Sequence, residues 1–214
     1  MMWLGRVLRF IGRPLVRTAF RVHDFRRENV PRWGGAVLAG NHRSYMDPVI
    51  LWCIAPRHVH FMAKKELFHG LLGWALPRLW AFPVDRSGAD RAALTKAAEL
   101  LADGELVGIF PEGTRQDSDE LGSARGGVAF VALRSNVPIV PIGIVGTGHV
   151  WPRGQRLPKL RRVTVVYGEP IAVHEFPKEG SRREQVDALT GLIMERIAAC
   201  VDRAKEVHGE SRRR

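Results

Sequence analysis

Six short apolar runs alternate along this chain with stretches that have helical periodicity. The runs cover 35–40, 58–63, 82–85, 106–110, 138–145 and 163–167. Short apolar runs bounded by loop residues are typical of buried strands, and strands that alternate with helices favour an α/β sandwich. We therefore expect one domain over 34–214, with a central, mostly parallel or mixed sheet flanked by helices. A chain of 214 residues is long enough to bury a single substantial core.

An amphipathic, basic segment over 1–33 is predicted to precede this domain. Between 2 and 22, apolar residues recur at helical spacing on one face, and arginines lie on the other. The apolar positions are Trp3, Leu4, Val7, Leu8, Ile11 and Leu15, and the arginines are Arg6, Arg9 and Arg13. Pro14 is expected to kink or divide the helix. A helix packed on the core with solvated arginines is one explanation, but the arginine content favours docking on an anionic membrane surface.

The charge balance of the chain indicates an anionic partner. Lys and Arg number 33 against 22 Asp and Glu, which gives a formal net charge of +11. Nucleic acid, anionic lipid and a phosphorylated substrate are the three classes that such a surplus attracts. The basic runs are not interleaved with aromatic residues, and no zinc-finger, homeodomain or RNA-recognition signature occurs, so we expect no nucleic-acid partner. A non-enzymatic protein that binds anionic lipid or nucleic acid remains the distant alternative.

Other classes of site and segment are disfavoured by the sequence. Cys53 and Cys200 lie far apart, which is typical of reduced core thiols in a cytosol-facing protein. No metal site is expected, because His58 and His60 have no third ligand close by in sequence. No run of about 18 apolar residues predicts a transmembrane helix. The N-terminal arginines interrupt every apolar run before a signal peptide can form.

Two polar loops, 41–48 and 110–115, directly follow predicted strands. In the first loop, His42 can accept a proton from a hydroxyl group, and Asp47 is close enough in sequence to orient its ring. The nucleophile of such a dyad would belong to the substrate. Asp47 before Pro48 also fits an N-cap with proline at the first helical position. Ser44 fits a loop or helix-start residue, because a serine hydrolase would need a G-x-S-x-G elbow that the chain lacks.

The second loop has the residue types of an anion site. Gly113 permits a tight turn, Thr114 adds a hydroxyl, and Arg115 offers a fork of donors that suits phosphate. Glu112 would pair an arginine or accept a hydrogen bond from a substrate hydroxyl. A surface turn with solvated charges is the alternative for this loop. Arg86, after the short third run, would supply a second cation.

Four sequence blocks occur in order between about 35 and 170. The first is N-H-x-x-x-x-D at Asn41, His42 and Asp47; the others are F-P-V-D-R at 82–86, F-P-E-G-T-R at 110–115 and V-P-I-V-P at 137–141. Together they resemble the glycerol-phosphate and lysophosphatidate acyltransferase superfamily, of the 1-acylglycerol-3-phosphate acyltransferase type. The third block is the most specific. The valine before the aspartate in the second block is a mild departure, because isoleucine is common there.

This resemblance implies roles for individual residues. His42 would be the general base and Asp47 its partner. Glu112, Gly113, Thr114 and Arg115 would hold the acceptor, with Arg115 and Arg86 on its phosphate. Secondary roles would fall to Asn41, Ser44 and Pro138. No role follows for 146–168. The apolar stretch 67–83, which contains Trp74 and Trp80, is expected to be core rather than an acyl-chain tunnel or a membrane contact.

The resemblance also implies an activity. The chain would move a fatty acyl group from acyl-CoA or acyl carrier protein, as co-substrate and with no other cofactor, to the free hydroxyl of a lysophosphatidate acceptor. The product would be phosphatidate, made in phospholipid biosynthesis. Another lysolipid or a glycolipid is the alternative acceptor. The enzyme would lie peripherally or monotopically on the cytoplasmic face of the cell membrane.

Overall fold

A computed structural model describes residues 2–85, 90–116, 118, 120–152, 155, 157–177 and 179–210. Within that part of the chain, seven strands form one sheet in the order β1-β7-β6-β2-β5-β3-β4. The strands are β1 (His23–Phe25), β2 (Ala36–Gly40), β3 (Val59–Lys64), β4 (Ala81–Val84), β5 (Leu106–Ile109), β6 (Ile139–Val145) and β7 (Thr164–Tyr167). Each of the six predicted runs therefore contains a strand, and the expected α/β sandwich with a central sheet is confirmed.

Helices cover both faces of this sheet. They are α1 (Met2–Ala19), α2 (Met46–Ile54), α3 (Gly70–Ala75), α4 (Arg91–Ala102), α5 (Gly127–Ser135), α6 (Thr147–Val150) and α7 (Arg182–Glu210). Short 3-10 turns lie at Arg27–Asn29, Lys65–Leu67, Leu76–Leu79 and Val173–Glu175. The sequence pattern missed α3 and α6, because helices of four to six residues are too short to display a period, and it missed β1, because His23–Phe25 is not an apolar run.

Strand direction brings loops from distant parts of the chain to one edge of the sheet. All pairs are parallel except β6 with β7. Strands β2, β5 and β6 therefore end, and β7 and β1 begin, along the same edge, which we call the carboxyl edge. Loops at this edge are where ligands bind in open α/β sheets.

Alternate residues of the central strands enter two separate apolar layers. Leu38 of β2 packs with α2 residues such as Ile50 and Leu51 on one face. Val37 and Ala39 pack on the other face with residues of α4, α5 and α7. Because side chains alternate along a strand, burial on both faces requires a continuous apolar run, which is the pattern of 35–40.

The N-terminal segment is tied to the sheet. β1 pairs in parallel with β7, so that His23 lies opposite Thr164. Helix α1 ends at Ala19 and continues through Pro14 as one helical segment, so the expected division at Pro14 is not seen. The boundary between a segment 1–33 and a domain 34–214 stays a prediction.

The apolar face of α1 points away from the protein. Phe10 is 82% exposed and Trp3 is 68% exposed, while Val7, Ile11 and Leu15 are also exposed. The opposite side of the helix packs on the fold. There, Arg9 donates hydrogen bonds to the carbonyls of Trp52 and Ala55 at the end of α2, and a Cβ added to Gly5 would lie 2.8 Å from the ring of Trp80.

Part of the stretch 67–83 departs from the expected core position. Trp80 is buried beside α1, as expected, but Leu71, Leu72 and Trp74 of α3 are exposed. The prediction of core packing was wrong for α3, because apolar content alone does not distinguish a buried helix from an exposed apolar one. No helix among the described residues is long and apolar enough to cross a bilayer.

Candidate active site

His42 and Asp47 form a buried pair at the carboxyl edge. Nδ1 of His42 lies 2.8 Å from Oδ2 of Asp47, at the start of α2. The same oxygen accepts hydrogen bonds from the backbone N–H groups of Arg43 at 2.6 Å and Ser44 at 2.7 Å. Since Asp47 holds Nδ1, Nε2 is the nitrogen through which His42 can exchange a proton with a substrate.

The alternative N-cap role of Asp47 does not describe this geometry. Its side chain turns back over the loop that precedes α2, rather than forward to the next helical N–H groups. Asp47 lies inside the helix, after Tyr45 and Met46. Three hydrogen bonds on one oxygen instead fix the loop and the imidazole together.

Glu112 joins the two loops of the site. Its Oε1 accepts a hydrogen bond from the backbone N–H of His42 at 2.8 Å, and its Oε2 accepts one from Gly122 at 3.0 Å. The side chain is only 5% exposed. A third bond, from the N–H of Gln116 to the carbonyl of His42 at 2.8 Å, completes the connection. This carboxylate therefore positions the backbone of His42; a contact with the acceptor stays a prediction.

Phe110 supports the ring of His42. The two rings stack with centroids 4.3 Å apart and planes inclined by 13°. Phe110 in turn lies 6.0 Å from the ring of Phe61 in β3. The bond to Asp47 holds the imidazole at Nδ1, and the stack on Phe110 restricts rotation of the ring about its second side-chain torsion. The sequence placed Phe110 in a block but gave no reason for an aromatic ring there.

The secondary residues of the first loop attach it to neighbouring elements. Asn41 exchanges two hydrogen bonds with the backbone of Ile144, at 2.9 and 2.7 Å, and so extends the pairing of β2 with β6 by a side chain. The hydroxyl of Ser44 donates to the carbonyl of Trp151 at 3.1 Å and accepts from the N–H of Met46. Ser44 is therefore a structural residue of the loop.

The phosphate-type loop lies beside the dyad. Gly113 has a φ of +68°, which favours glycine, and it lines the same cavity as His42. The guanidinium of Arg115 lies 3.6 Å over the ring of Tyr45, a residue of the His42 loop. This stacking fixes the guanidinium of Arg115 against the loop that carries His42. Thr114 is exposed, and its carbonyl accepts a hydrogen bond from the side chain of Gln116.

Of the remaining predicted site residues, one lies away from the dyad and the other cannot be placed. Arg86 lies outside the described residues. Pro138 precedes β6, and its carbonyl accepts from the N–H of Val37 at the start of β2. It therefore lies at the edge opposite to His42. The secondary role of Pro138 in positioning the substrate stays a prediction, and any such effect would act through β2 and β6.

A mostly apolar cavity of about 460 Å³ adjoins the base. It runs from His42 and Phe110 between the sheet and helices α4, α5 and α7. Residues of those elements provide its wall: Met62, Leu94, Val128, Phe130 and Val186. The volume is in the range of small-molecule sites. Within the described residues, no group of three His, Cys, Asp or Glu side chains is arranged to hold a metal ion.

Arg125 is a lining residue that sequence reasoning missed. Its backbone N–H donates to the carbonyl of Pro111 at 2.8 Å, and a Cβ added to Gly113 would lie 3.2 Å from its side chain. It therefore lies at the mouth of the cavity, against the F-P-E-G-T-R block. Its position before Gly126 and Gly127, at the start of α5, was the available signal.

The sequence profile described as Acyltransferase matches residues 21–145, which is more than half of the chain. The chain belongs to the acyltransferase family. It is 35% identical to 1-acyl-sn-glycerol-3-phosphate acyltransferase of Bacillus subtilis, over 82% of this chain and 86% of that one. The protein of the same name from Streptococcus pneumoniae is 29% identical, over 82% of this chain and 64% of that one.

A solved structure supports the assignment to the acyltransferase family. The 1-acyl-sn-glycerophosphate (LPA) acyltransferase PlsC from Thermotoga maritima superposes with a TM-score of 0.69 at 25% identity. The match covers 89% of this chain and 80% of that one. The acyltransferase thus has the fold of that enzyme, with a His–Asp dyad at the carboxyl edge and an apolar cavity beside it. It is an O-acyltransferase.

Proposed function

We propose that this acyltransferase moves a fatty acyl group from an acyl thioester to the free hydroxyl of a 1-acylglycerol 3-phosphate acceptor, producing phosphatidate for phospholipid synthesis. The observation that carries the proposal is the geometry of the dyad. The base is buried, oriented by Asp47 and stacked on Phe110, and it faces an apolar cavity. The hydroxyl of Ser44 donates to Trp151 rather than to His42, which supports a mechanism in which the substrate supplies the nucleophilic oxygen.

Direct transfer follows from that arrangement. Nε2 of His42 takes the proton of the acceptor hydroxyl while its oxygen attacks the thioester carbonyl. Asp47 stabilises the imidazolium that forms. The tetrahedral intermediate then collapses: the C–S bond breaks, the ester forms, and the proton on His42 passes to the leaving thiolate. The enzyme returns to its starting protonation state without an acyl-enzyme intermediate.

The apolar cavity suits the hydrocarbon chain of the donor. Burial of each methylene stabilises the complex by about 0.8 kcal/mol, so a chain of many carbons binds strongly in such a space. The acceptor phosphate would lie on the opposite side of His42, near Arg115 and the F-P-E-G-T-R loop. Arg86 is proposed as the second phosphate ligand, on the sequence resemblance alone. Phosphate between two guanidinium groups would position the hydroxyl at Nε2.

We further propose that the enzyme docks peripherally on an anionic membrane, on its cytoplasmic face. An exposed face that carries Trp3, Phe10 and Ile11 is unusual for a helix packed only on its own protein. Leu71 and Trp74 of α3 add exposed apolar area next to it. Both of its substrates carry long acyl chains, so a position at the bilayer surface gives access to them.

The central test measures thiol release from palmitoyl-CoA in detergent micelles, with and without lysophosphatidate. Release by the wild type should require the acceptor, and His42→Ala should lower kcat by about 10²–10⁴. His174→Ala is the matched control, because His174 is an exposed histidine outside the site. Acceptor-independent release would contradict transfer. Turnover with another lysolipid or a glycolipid, but not lysophosphatidate, would retain the reaction and reject the acceptor.

Docking is tested by sedimentation with vesicles that contain phosphatidylglycerol. The double variant Trp3→Asp, Phe10→Asp should pellet far less than the wild type, because a charge in the interface opposes insertion. Trp33→Asp is the control, since Trp33 is also a highly exposed tryptophan but lies outside α1. Equal pelleting of the double variant and the wild type would reject docking through α1.

A further inference from the structure

A second cavity, of about 620 Å³, lies at the carboxyl edge beside the segment 146–168. Its charged and titratable lining is entirely basic: Arg21, His149, Lys159, Arg161, Arg162 and His208. A neighbouring cavity of about 390 Å³ shares His149 and His208 and adds Arg43 and Lys205. No acidic side chain of the described chain lines either one. We call the two together the basic groove.

The basic groove begins next to the catalytic base. Arg43 directly follows His42, and a Cβ added to Gly148 would lie 3.8 Å from the Cβ of Arg43. Gly148 belongs to α6, whose His149 lies between the two cavities. The groove therefore extends from the His42 loop, past α6, to the segment before β7.

The strand order sets the distance between His42 and the far end of the basic groove. Along the carboxyl edge, the end of β2 is followed by the end of β6, the start of β7 and the start of β1. Arg43 follows β2, and Arg21 precedes β1. Three inter-strand spacings of about 4.8 Å separate these strands, so the far cations lie on the order of 14 Å from the base. Such a distance is comparable with the extended arm between a pantetheine thiol and its phosphate.

Close backbone contacts fix the position of the segment 159–163, which forms the far part of the groove. Gly146 has a φ of +99°, and a Cβ there would lie 2.2 Å from the carbonyl oxygen of Arg162. The N–H of Lys159 donates to the carbonyl of Val150 at 2.7 Å, and the N–H of Val163 donates to the carbonyl of Phe20 at 3.0 Å. The cations of 159–162 are thus held against α6 and the end of α1 by backbone contacts.

The charged side chains that line the basic groove all have the same sign. Ion pairs join other basic residues, such as Arg17 and Lys65, to acidic partners, and Lys205 at the edge of the groove pairs with Asp202, which does not line it. In the basic groove, like charges lie together without an acidic residue in the lining, an arrangement that repels itself until an anion binds. A volume of about 620 Å³ is larger than one phosphate needs and falls in the range of nucleotide-sized ligands.

We propose that the basic groove binds the phosphorylated nucleotide end of a coenzyme A thioester donor. The diphosphate and 3′-phosphate would contact the cations of 159–162 and α6, and the exposed side chain of Leu160 offers apolar surface to the ring system. The pantetheine arm would run past Arg43 and deliver the thioester to His42. This assignment rests on the proposed acyl transfer and specifies its donor.

The test uses the double variant Lys159→Ala, Arg161→Ala, since both side chains are exposed and their removal should leave the fold intact. Calorimetry with coenzyme A alone should give a dissociation constant about tenfold higher or more than that of the wild type, from the loss of two charge-assisted contacts. The ratio of the KM for palmitoyl-CoA to the KM for palmitoyl-pantetheine, which lacks all phosphates, should rise by a similar factor. The wild-type affinity should fall with added salt.

Arg203→Ala is the control, because Arg203 lies on α7 near Lys205 but does not line the groove. Unchanged affinity for coenzyme A in the double variant would overturn the proposal. A defect confined to acyl carrier protein as donor would also overturn it and assign the cations to a carrier surface. If the wild type binds coenzyme A through these cations but transfers no acyl group to any lysolipid, the proposed function fails while the binding site stands.

Discussion

Glu112 accepts a hydrogen bond from the backbone N–H of His42, with 2.8 Å between Oε1 and the nitrogen, across 70 residues of chain. Its second oxygen accepts a hydrogen bond from the backbone N–H of Gly122. The conspicuous carboxylate of the F-P-E-G-T-R block is thus directed toward the backbone of the base. The proposed catalytic geometry therefore includes a bond between the two loops as well as the His–Asp pair.

The first prediction concerns Glu112→Gln. The amide has an NH2 group, which only donates, in place of one accepting oxygen, so one of the two buried backbone N–H groups loses its acceptor. We expect the free energy of unfolding to fall by about 1–3 kcal/mol. The kcat should drop by roughly 10–100-fold, because misplacement of the base by about 1 Å has effects of this order. Urea unfolding and steady-state kinetics measure the two effects.

Glu120→Gln is the control for this substitution, since Glu120 lies in the same loop and is exposed. If Glu112 instead contacts the acceptor and has no part in placing His42, Glu112→Gln will raise the acceptor KM with little change in kcat.

The second prediction concerns Asp47→Asn. Asparagine can retain the hydrogen bonds from Arg43 and Ser44 but not the charge that stabilises the imidazolium of His42. In a serine-protease triad the equivalent change lowers kcat by about 10⁴, and we expect a loss of 10³–10⁴ here. The KM values for donor and acceptor should change little. Initial-rate assays over a range of pH measure kcat and KM. A kcat within tenfold of the wild type would contradict an orienting role for Asp47.

The third prediction concerns the apolar cavity. A Cβ added to Gly127 would meet only Leu94, at an ordinary 3.6 Å, so Gly127→Ala should leave the cavity usable. Gly127→Leu should fill part of it and move the donor preference toward shorter acyl chains. Competition between decanoyl and palmitoyl donors measures this shift. An unchanged preference in the leucine variant would show that the acyl chain binds elsewhere.

The fourth prediction concerns Arg9. Its guanidinium satisfies two carbonyls at the end of α2, which would otherwise be left without partners under α1. Arg9→Met should therefore lower the free energy of unfolding by about 1–3 kcal/mol. Arg6→Met serves for comparison, because Arg6 is exposed on the same helix, and its effect should be near zero. Equal effects of the two substitutions would contradict a structural role for Arg9.

The fifth prediction concerns pH. Burial, with Arg9 and Arg6 nearby, lowers the pKa of His58 from 6.5 to about 4. Between these values the unfolded chain binds a proton at this position that the folded chain does not. The free energy of unfolding therefore falls as the pH is lowered from about 6.5 toward 4. In His58→Phe, which keeps a ring against Trp80, that pH dependence should be weaker.

Some of the dependence should remain in His58→Phe, since burial also lowers the pKa of His60. Identical slopes of unfolding free energy against pH for the wild type and the variant would reject the assignment.

Much of the fold followed from local pattern. The run 35–40 is apolar at every position because β2 is buried on both faces, and the run 138–145 has the same cause in β6. Helix α7 extends over Arg182–Glu210, because an apolar stripe at helical spacing persists through it. The sequence did not predict strand β1, because its three residues, His23–Phe25, form neither an apolar run nor a recognisable alternation.

The chain by itself determined where strands and helices alternate and which loops follow the strands. It also determined that His42 and Asp47 are near neighbours, because five residues across a tight turn leave few other arrangements. Only the tertiary structure decided that Glu112 binds the backbone of His42, that α1 presents its apolar face outward, and that cations from three loops and two helices line one groove. These relationships depend on strand order and parallel pairing, which bring together residues that are distant in sequence, and no local period records such long-range contacts.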